Sequence, residues 1–484
     1  MHLSRVPALL VFGMTALQVA GAIAGDEQRP PNVVFFLIDD LGWTDVGCYG
    51  SQYYETPNID RLAGQGMRFT DAYAACCVCS PTRASILTGK YPARLHVTHA
   101  IPIEGWRRLK EPPPLLPPTY VKNLPLDEVT IAEALKPAGY ATGTFGKWHV
   151  CWDKAFYPEN QGFDVNVGGN NMGNPGNYFH PYDGKWRMTR NHPWVRWHTV
   201  EGGAPGEYLT DRLTDEAVRF IEQNRNQPFF LYLPHYAVHT PIQAKKEIIA
   251  KYEAKPKDQH HNNVKYAAMI DSVDQSVGRV LKKLEELGIA GHTVVIFTSD
   301  NGGHGRITSH HPLRGNKGNF YEGGIRVPLV VKWPGVVESG SVCSAPVTST
   351  DFYPTILQIA GLPLRSEQHM DGASLMPLLR QSGSLKRDSL YWHFPHYIGA
   401  GHPDPATPVS VIRQGNWKLL ENLEEDRLEL YNLKKDIGET KNLAGEMPEK
   451  AMALQLALAR WRVSAGAQMP TPNPSYQPAV DGSN

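Results

Sequence analysis

The stretch Cys76-Cys77-Val78-Cys79-Ser80-Pro81-Thr82-Arg83 places three thiols within four positions, immediately ahead of a helical pattern, ASILTGK. Three kinds of chemistry suit it. Cys76 and Cys79 have the C-x-x-C spacing of a redox pair, and the N-terminus of a helix lowers a thiol pKa. Zinc would need a second cysteine pair at ligand spacing, which Cys48, Cys151 and Cys343 do not supply. The third reading makes Cys79 alone the reacting residue.

Four further polar groups stand where buried strands should end. Asp39-Asp40 follows VVFFLI, and Lys147-Trp148-His149 follows YATGTFG. His235 and His239-Thr240-Pro241 come after FFLYLP, and Asp300-Asn301-Gly302-Gly303 after VVIFTS. Asp39, Asp40, Asp300 and Asn301 offer oxygen donors alone, which suit a hard divalent cation, Ca²⁺ before Mg²⁺, and suit Zn²⁺ poorly. His149 and His239 have the chemistry of general acids and bases, and Lys147 and Lys317 that of anion neutralisers.

The elements that must hold these groups alternate along the chain. PNVVFFLIDD (31–40) reads as a strand buried on both faces, and TPNIDRLAGQG (56–66) as a helix with Thr56 as N-cap and Pro57 at its first position. Helices DEVTIAEALKPAG, TDEAVRFIEQNR and the long NVKYAAMIDSVDQSVGRVLKKLEELG are each followed by an apolar strand. Such alternation predicts an α/β fold, a mainly parallel sheet between helices, whose ligands lie beyond the carboxyl ends of the strands. Past RQSGSLKR (380–387) the texture changes to short strands and one closing helix, so 25–380 is expected to be the main domain and 388–466 a smaller α+β unit. The Pro- and Asn-rich tail, 467–484, is expected to be disordered.

Residues 1–24 have a basic head, an apolar run and a small-x-small ending, the form of a cleaved signal peptide, and imply an exported protein, periplasmic or secreted. No later run approaches the length of a membrane span. With 48 basic and 48 acidic residues among 484, no global field attracts nucleic acid. Six cysteines are too few to frame a chain of this size.

Cys79-Ser80-Pro81-Thr82-Arg83-Ala84-Ser85-Ile86-Leu87-Thr88-Gly89 resembles the C-x-P-x-R-x-x-x-L-T-G signature of the type I sulfatases. The resemblance extends over nearly the whole mature chain. Asp39-Asp40 and Asp300-Asn301 match the family's metal-binding acids, Gly146-Lys147-Trp148-His149 its G-K-W-H element, His239-Thr240-Pro241 its H-x-P element and Lys317 the lysine of its R-G-x-K segment. It implies an alkaline-phosphatase-like fold and hydrolysis of sulfate esters. It also implies that a separate maturation enzyme, a formylglycine-generating or an anaerobic sulfatase-maturating enzyme, oxidises Cys79 to formylglycine. The aldehyde hydrate, one oxygen on a cation held by Asp39, Asp40, Asp300 and Asn301, would attack sulfur. His239 and Lys317 would protonate the departing alcohol, His149 would release sulfate from the sulfated enzyme, and Arg83 would hold the hydrate and the neighbouring acids.

LPPTYVKNLPLDEVTIAEALK resembles bacterial members assigned to galactose or N-acetylgalactosamine sulfate esters, so a sulfated glycan is the expected substrate. His393, His396 and His402, with Trp194 and Trp197, are candidate sugar contacts from aromatic-rich loops. The alternatives are a phosphate or phosphonate ester hydrolase of the same superfamily, a glycan-binding protein never matured at Cys79, and a thiol-disulfide enzyme.

Overall fold

The computed structural model describes His2 and residues 29–185, 194–195, 199–398 and 406–477. Apart from His2, the expected signal peptide lies outside the described residues, as do Trp197 and His402.

The central sheet has eight strands: β1 (Asn32–Ile38), β2 (Met67–Phe69), β3 (Ala141–Phe145), β4 (Val165–Val167), β5 (Phe229–His235), β6 (Thr293–Ser299), β7 (Leu329–Lys332) and β8 (Ser341–Cys343). Their spatial order is β8-β2-β7-β6-β1-β5-β3-β4. β6, β1, β5, β3 and β4 run parallel, while β7 is antiparallel to both β6 and β2. The sheet is therefore mixed, with a parallel centre whose carboxyl ends share one edge.

Every residue of β1 is buried because helices cover both faces of the sheet. Val34, Phe36 and Ile38 point into one core with α1 (Pro57–Gly64), α3 (Leu209–Gln223) and α4 (Val264–Glu286). Val33, Phe35 and Leu37 point into the other, with α2 (Cys79–Thr88) and α5 (Phe352–Ile359). Phe35 meets Phe352 edge-on with ring centroids 5.0 Å apart; truncating such a ring to alanine costs about 3–5 kcal/mol. α1 starts at Pro57 as expected, but Thr56 does not cap it: its hydroxyl accepts from Gly47 N–H at 2.8 Å and donates to Asp60.

The C-terminal unit is a four-stranded antiparallel meander, β9 (Ser389–Phe394), β10 (Val409–Gln414), β11 (Trp417–Asn422) and β12 (Arg427–Asn432), closed by α6 (Pro448–Ala465). Gly415, at φ +58°, makes the two-residue turn between β10 and β11. Ala451, Leu454, Leu458, Trp461 and Ala465 of α6, spaced three and four apart, cover Ile412, Leu419 and Leu430 on one face of the meander. The other face packs on the main domain. Leu390, Trp392, Phe394 and Val411 lie against Cys76, Cys77, Val78 and Cys79, and Trp392 Nε1 donates to Ala74 O at 2.8 Å.

A buried charge network reinforces this contact. Lys418 Nζ lies 2.9 Å from Glu322 and 2.8 Å from Glu439, all three with side chains 0% exposed. Arg326 pairs with Glu322 and Asp71, and Arg413 with Asp71. Breaking one partner out of a buried pair costs about 3–5 kcal/mol, so the seam between the units is held as firmly as a core.

The tail departs from expectation. Thr471–Pro472 pairs antiparallel with Leu115–Leu116, and Asn473 Nδ2 donates to Pro113 O at 2.7 Å. Composition predicts disorder there because the partner strand lies more than 350 positions away; residues 478–484 lie outside the described ones.

Candidate active site

The shared carboxyl edge of β1, β3, β5 and β6 brings Asp39-Asp40, Lys147 and His149, His239, and Asp300-Asn301 together. α2 starts there with Cys79, which is 3% exposed. Two residues of this rim, Asp40 at φ +61° and His149 at φ +56°, hold left-handed backbone conformations that cost non-glycine residues about 1–3 kcal/mol each.

Cys79 Sγ is 3.3 Å from His149 Nδ1. On the opposite side of the ring, His149 Nε2 is 2.6 Å from Ile101 O. A carbonyl only accepts, so Nε2 carries the proton and Nδ1 presents its lone pair to residue 79. Burial pushes the His149 pKa well below the usual histidine range, and the Lys147 ammonium lowers it further. Ile101 N donates to Ser80 Oγ at 3.1 Å, tying the carbonyl to the start of α2. Gly173 presses on the imidazole: a Cβ there would lie 2.8 Å from Cε1 and 2.9 Å from Nε2.

One turn along α2, the wholly buried Arg83 directs Nε (2.9 Å) and an NH2 (2.8 Å) at the same oxygen of Asp300, and its NH1 donates to Lys147 O at 2.7 Å. Lys147 Nζ binds Asp39 Oδ2 at 2.7 Å. Lys317 Nζ lies 2.7 Å from both oxygens of Asp40, and His239 Nε2 lies 3.5 Å from one of them. Three carboxylates thus face three fixed cations. Burial raises the Asp39 pKa well above the carboxylate range, opposed by Lys147. Burial pushes Asp40 the same way, but the ammonium of Lys317, helped by His239, carries it below that range.

Two oxygens lack partners. Asp39 Oδ1 and Asn301 Oδ1 are buried without a hydrogen bond; Arg83 NH2 stands 3.9 Å from the former. A desolvated acceptor left unpaired costs about 1–3 kcal/mol, and a hard cation would satisfy both. Asp39, Asp40 and His239 have ligand atoms within 4.8 Å of one another, the one such group found among the described residues. The donor set fits an oxygen-loving divalent ion.

All six cysteines are free thiols. Cys76 is tied by its backbone to Thr82 Oγ1, and Cys77 O accepts from Gly318 N at 3.0 Å, linking the cysteine segment to the loop of Lys317.

Two of the candidate sugar contacts, His393 and His396, are buried. His393 bonds Ser410 Oγ and Gln468 O, each at 2.8 Å, and His396 bonds Thr98 Oγ1 at 2.8 Å, packed among His99, Tyr120 and Phe394. They are 4% and 3% exposed, so both are satisfied packing residues rather than open contacts. His235 likewise bonds Ser276 within the core. Trp194–Val195 pairs with Gly184–Lys185, and the Trp194 side chain lies outside the described atoms. Sequence reasoning missed Ile101, a backbone acceptor with no residue-type signal, and Gly173, for which the glycine-rich GGNNMGNPG (168–176) is the available hint.

A mainly parallel sheet with acids, lysines and histidines gathered at one edge around a helix N-terminus defines a hydrolase of the alkaline-phosphatase-like class. A family model described as Sulfatase matches residues 31–362, and one described as N-sulphoglucosamine sulphohydrolase, C-terminal, matches residues 315–463. A protein named Sulfatase from Formosa agariphila is 36% identical, the alignment covering 94% of this chain and 92% of that protein. N-acetylgalactosamine-6-sulfatase of Sus scrofa is 35% identical over 80% of this chain and 72% of its own length. The crystal structure of Ps i-CgsB superimposes with a TM-score of 0.75 at 30% identity, covering 93% of this chain and 95% of that one. The chain belongs to the sulfatase family, and it is a sulfuric ester hydrolase.

Proposed function

We propose that this enzyme removes sulfate from a sulfated carbohydrate of galactose or N-acetylgalactosamine type, with residue 79 as formylglycine and one divalent cation, Ca²⁺ in preference to Mg²⁺. The observation that carries the reading is the pair of orphaned buried oxygens, on Asp39 and Asn301, at the rim where Cys79 begins its helix. The substrate class draws on relatives: one is named N-acetylgalactosamine-6-sulfatase, and Ps i-CgsB has a structure titled as a complex with k-i-k-neocarrahexaose.

Asp39, Asp40, Asp300, Asn301 and residue 79 would hold the cation. When bound, it supplies positive charge against the sulfate oxygens and eases ionisation of a hydroxyl beside it. The hydrated aldehyde supplies the attacking oxygen. Lys147 and Lys317, relieved of part of their pairing with Asp39 and Asp40, turn positive charge toward the sulfate as negative charge builds in the transition state. His239, whose Nδ1–H is fixed by the 2.8 Å contact to Thr240 O, aims the Nε2 lone pair at the rim, where it takes a proton from the Lys317 ammonium and relays it to the departing alcohol. His149, neutral and with Nδ1 bare toward residue 79, takes a proton from that residue. Arg83 fixes Asp300 and the backbone of Lys147 at once.

The proposed location is periplasmic or extracellular, supported by the signal-like first 24 residues; no helix among the described residues is long and apolar enough to cross a membrane. Maturation would require a formylglycine-generating or anaerobic maturating enzyme. The test is mass spectrometry of the peptide containing Cys79 in active protein. Conversion of thiol to aldehyde lowers the mass by about 18 Da, and an unmodified cysteine in fully active material refutes the mechanism. Comparing 4-nitrophenyl sulfate with 4-nitrophenyl phosphate separates this reading from a phosphate esterase.

A further inference from the structure

A groove distinct from the catalytic rim follows residues 385–389, along the seam between the two units. At one end is a cavity of about 710 Å³ walled by Tyr91, Tyr391 and Trp461, and at the other a cavity of about 650 Å³ walled by Trp417 and Lys450. Both include Arg387, Asp388 and Ser389, so they adjoin. α2 leads away from Cys79 for ten residues, about 15 Å at 1.5 Å per residue, and Tyr91 lies three residues beyond its end. The groove therefore opens at the far end of that helix from residue 79.

Its walls are flat rings. Tyr391 and Trp461 stack at 4.8 Å with planes 3° apart, and Tyr91 meets both edge-on. At the other end the Lys450 ammonium sits 5.8 Å from the Trp417 ring centroid. Rigid aromatic surfaces beside polar groups suit the C–H faces and hydroxyls of sugars. The charges have a direction as well. Arg387 is held by Asp351 at 2.6 Å, Arg413 by Asp71 at 2.6 Å, and Asp371 by Arg94 at 2.8 Å. Lys386 and Lys450 have no carboxylate partner among the described residues, against one unpaired acid, Asp388, which accepts from Ser389 and Gln414. The groove is net cationic, with aromatic platforms at both ends.

We propose that this groove binds a run of sulfated polysaccharide away from the ester being hydrolysed, with Tyr391 and Trp417 against sugar rings and Lys386 and Lys450 paired with sulfate groups. The identity of the polymer rests on the glycan reading above; the groove itself does not. Holding a chain at a second point raises the effective concentration of its other esters at the catalytic rim. The groove thus favours polymers over small esters.

The experiment is affinity electrophoresis of the full chain through gels containing chondroitin sulfate or unsulfated chondroitin, with kinetics on 4-nitrophenyl sulfate alongside. The double variant Lys386→Ala/Lys450→Ala removes two unpaired cations, and Trp417→Ala removes a ring partly packed on the core beneath α6, so a thermal melt accompanies each; each should weaken retention by chondroitin sulfate about 10-fold, a modest share of what a second site contributes. Turnover of the small ester should stay within about twofold of the parent. Asp300→Asn, inactive at the rim, should keep the parental retention. Retention unchanged in both groove variants, or lost instead in Asp300→Asn, would overturn the proposal. Retention that behaves as expected in a protein with no sulfatase activity would sink the proposed function and leave the groove standing.

Discussion

Gly173→Ala adds one methyl group to the wall behind His149 and tests whether that ring's position limits the reaction. The glycine has an ordinary φ, so its backbone accepts alanine. The new Cβ would stand 2.8 Å from Cε1, 2.9 Å from Nε2 and 3.3 Å from Nδ1 of His149. Relaxing to a normal carbon contact requires a retreat of about 0.6 Å or more. The ring has nowhere to go in its plane, because Ile101 O already sits 2.6 Å from Nε2 and Cys79 Sγ 3.3 Å from Nδ1. It must tilt, and the line from Nδ1 to residue 79 tilts with it. Misplacing a catalytic group by about 1 Å costs about 100-fold in rate, equivalent to about 2.7 kcal/mol of barrier. Overpacking at one site costs about 1–3 kcal/mol of stability, a small drop in melting temperature for a chain this long. The assay is kcat on 4-nitrophenyl sulfate with a thermal melt on the same preparation, and Gly64→Ala, where nothing lies within 4 Å of the added Cβ, serves as control. If the methyl acts through the imidazole, adding it to His149→Ala should cause little further loss. A Gly173→Ala enzyme within twofold of the parent, or losses that multiply in the double variant, would refute the reasoning.

Asp39→Asn and Asp300→Asn should each lower turnover by about a hundredfold or more and also lower the melting temperature, because Lys147 and Arg83 each lose a buried charged partner; prolonged dialysis against a chelator should lower turnover likewise until Ca²⁺ is restored. At the seam, Lys418→Met leaves Glu322 and Glu439 buried without their shared cation, and should cost about 3–5 kcal/mol of stability, read as a lower melting temperature. The same pair gives stability a pH dependence. Burial, only partly offset by Lys418, pushes Glu439 up from 4.5 to about 7, so the folded chain keeps a proton that the unfolded chain gives up, and stability falls as pH rises from about 4.5 to 7. Glu322, although buried, is drawn down to about 2 by Lys418 and Arg326, and its contribution is lost as pH falls from about 4.5 toward 2. Glu439→Gln should flatten the decline between pH 5 and 7 in a series of melts; an unchanged slope would place the titration elsewhere.

The parallel centre of the sheet was legible because doubly buried strands are continuous apolar runs, and the polar groups at their ends come to one edge, although His235 among them bonds Ser276 within the core. Asp39-Asp40 after VVFFLI and Asp300-Asn301 after VVIFTS needed nothing but the rule that ligands gather at carboxyl ends. What stayed hidden depends on partners distant in sequence. Lys418 sits in a strand and reads as an exposed residue, yet its two carboxylates are 96 and 21 positions away and all three are buried. The aromatic neighbours that make His396 look like a sugar contact bury it, and His393 is held by Ser410 and Gln468. The His149 proton is fixed by a carbonyl, and carbonyls look alike in every residue.

The seam also sets an order of events during synthesis. Asp71, Glu322 and Arg326 leave the ribosome long before Arg413, Lys418 and Glu439, and until those last segments emerge Asp71 and Glu322 have one cation of this network, Arg326, between them. The wall behind Cys79 is still missing at that stage, since Leu390 and Trp392 have yet to be made. A nascent chain stalled before position 389 therefore keeps the cysteine segment open to the surrounding medium, and the final hundred residues close it.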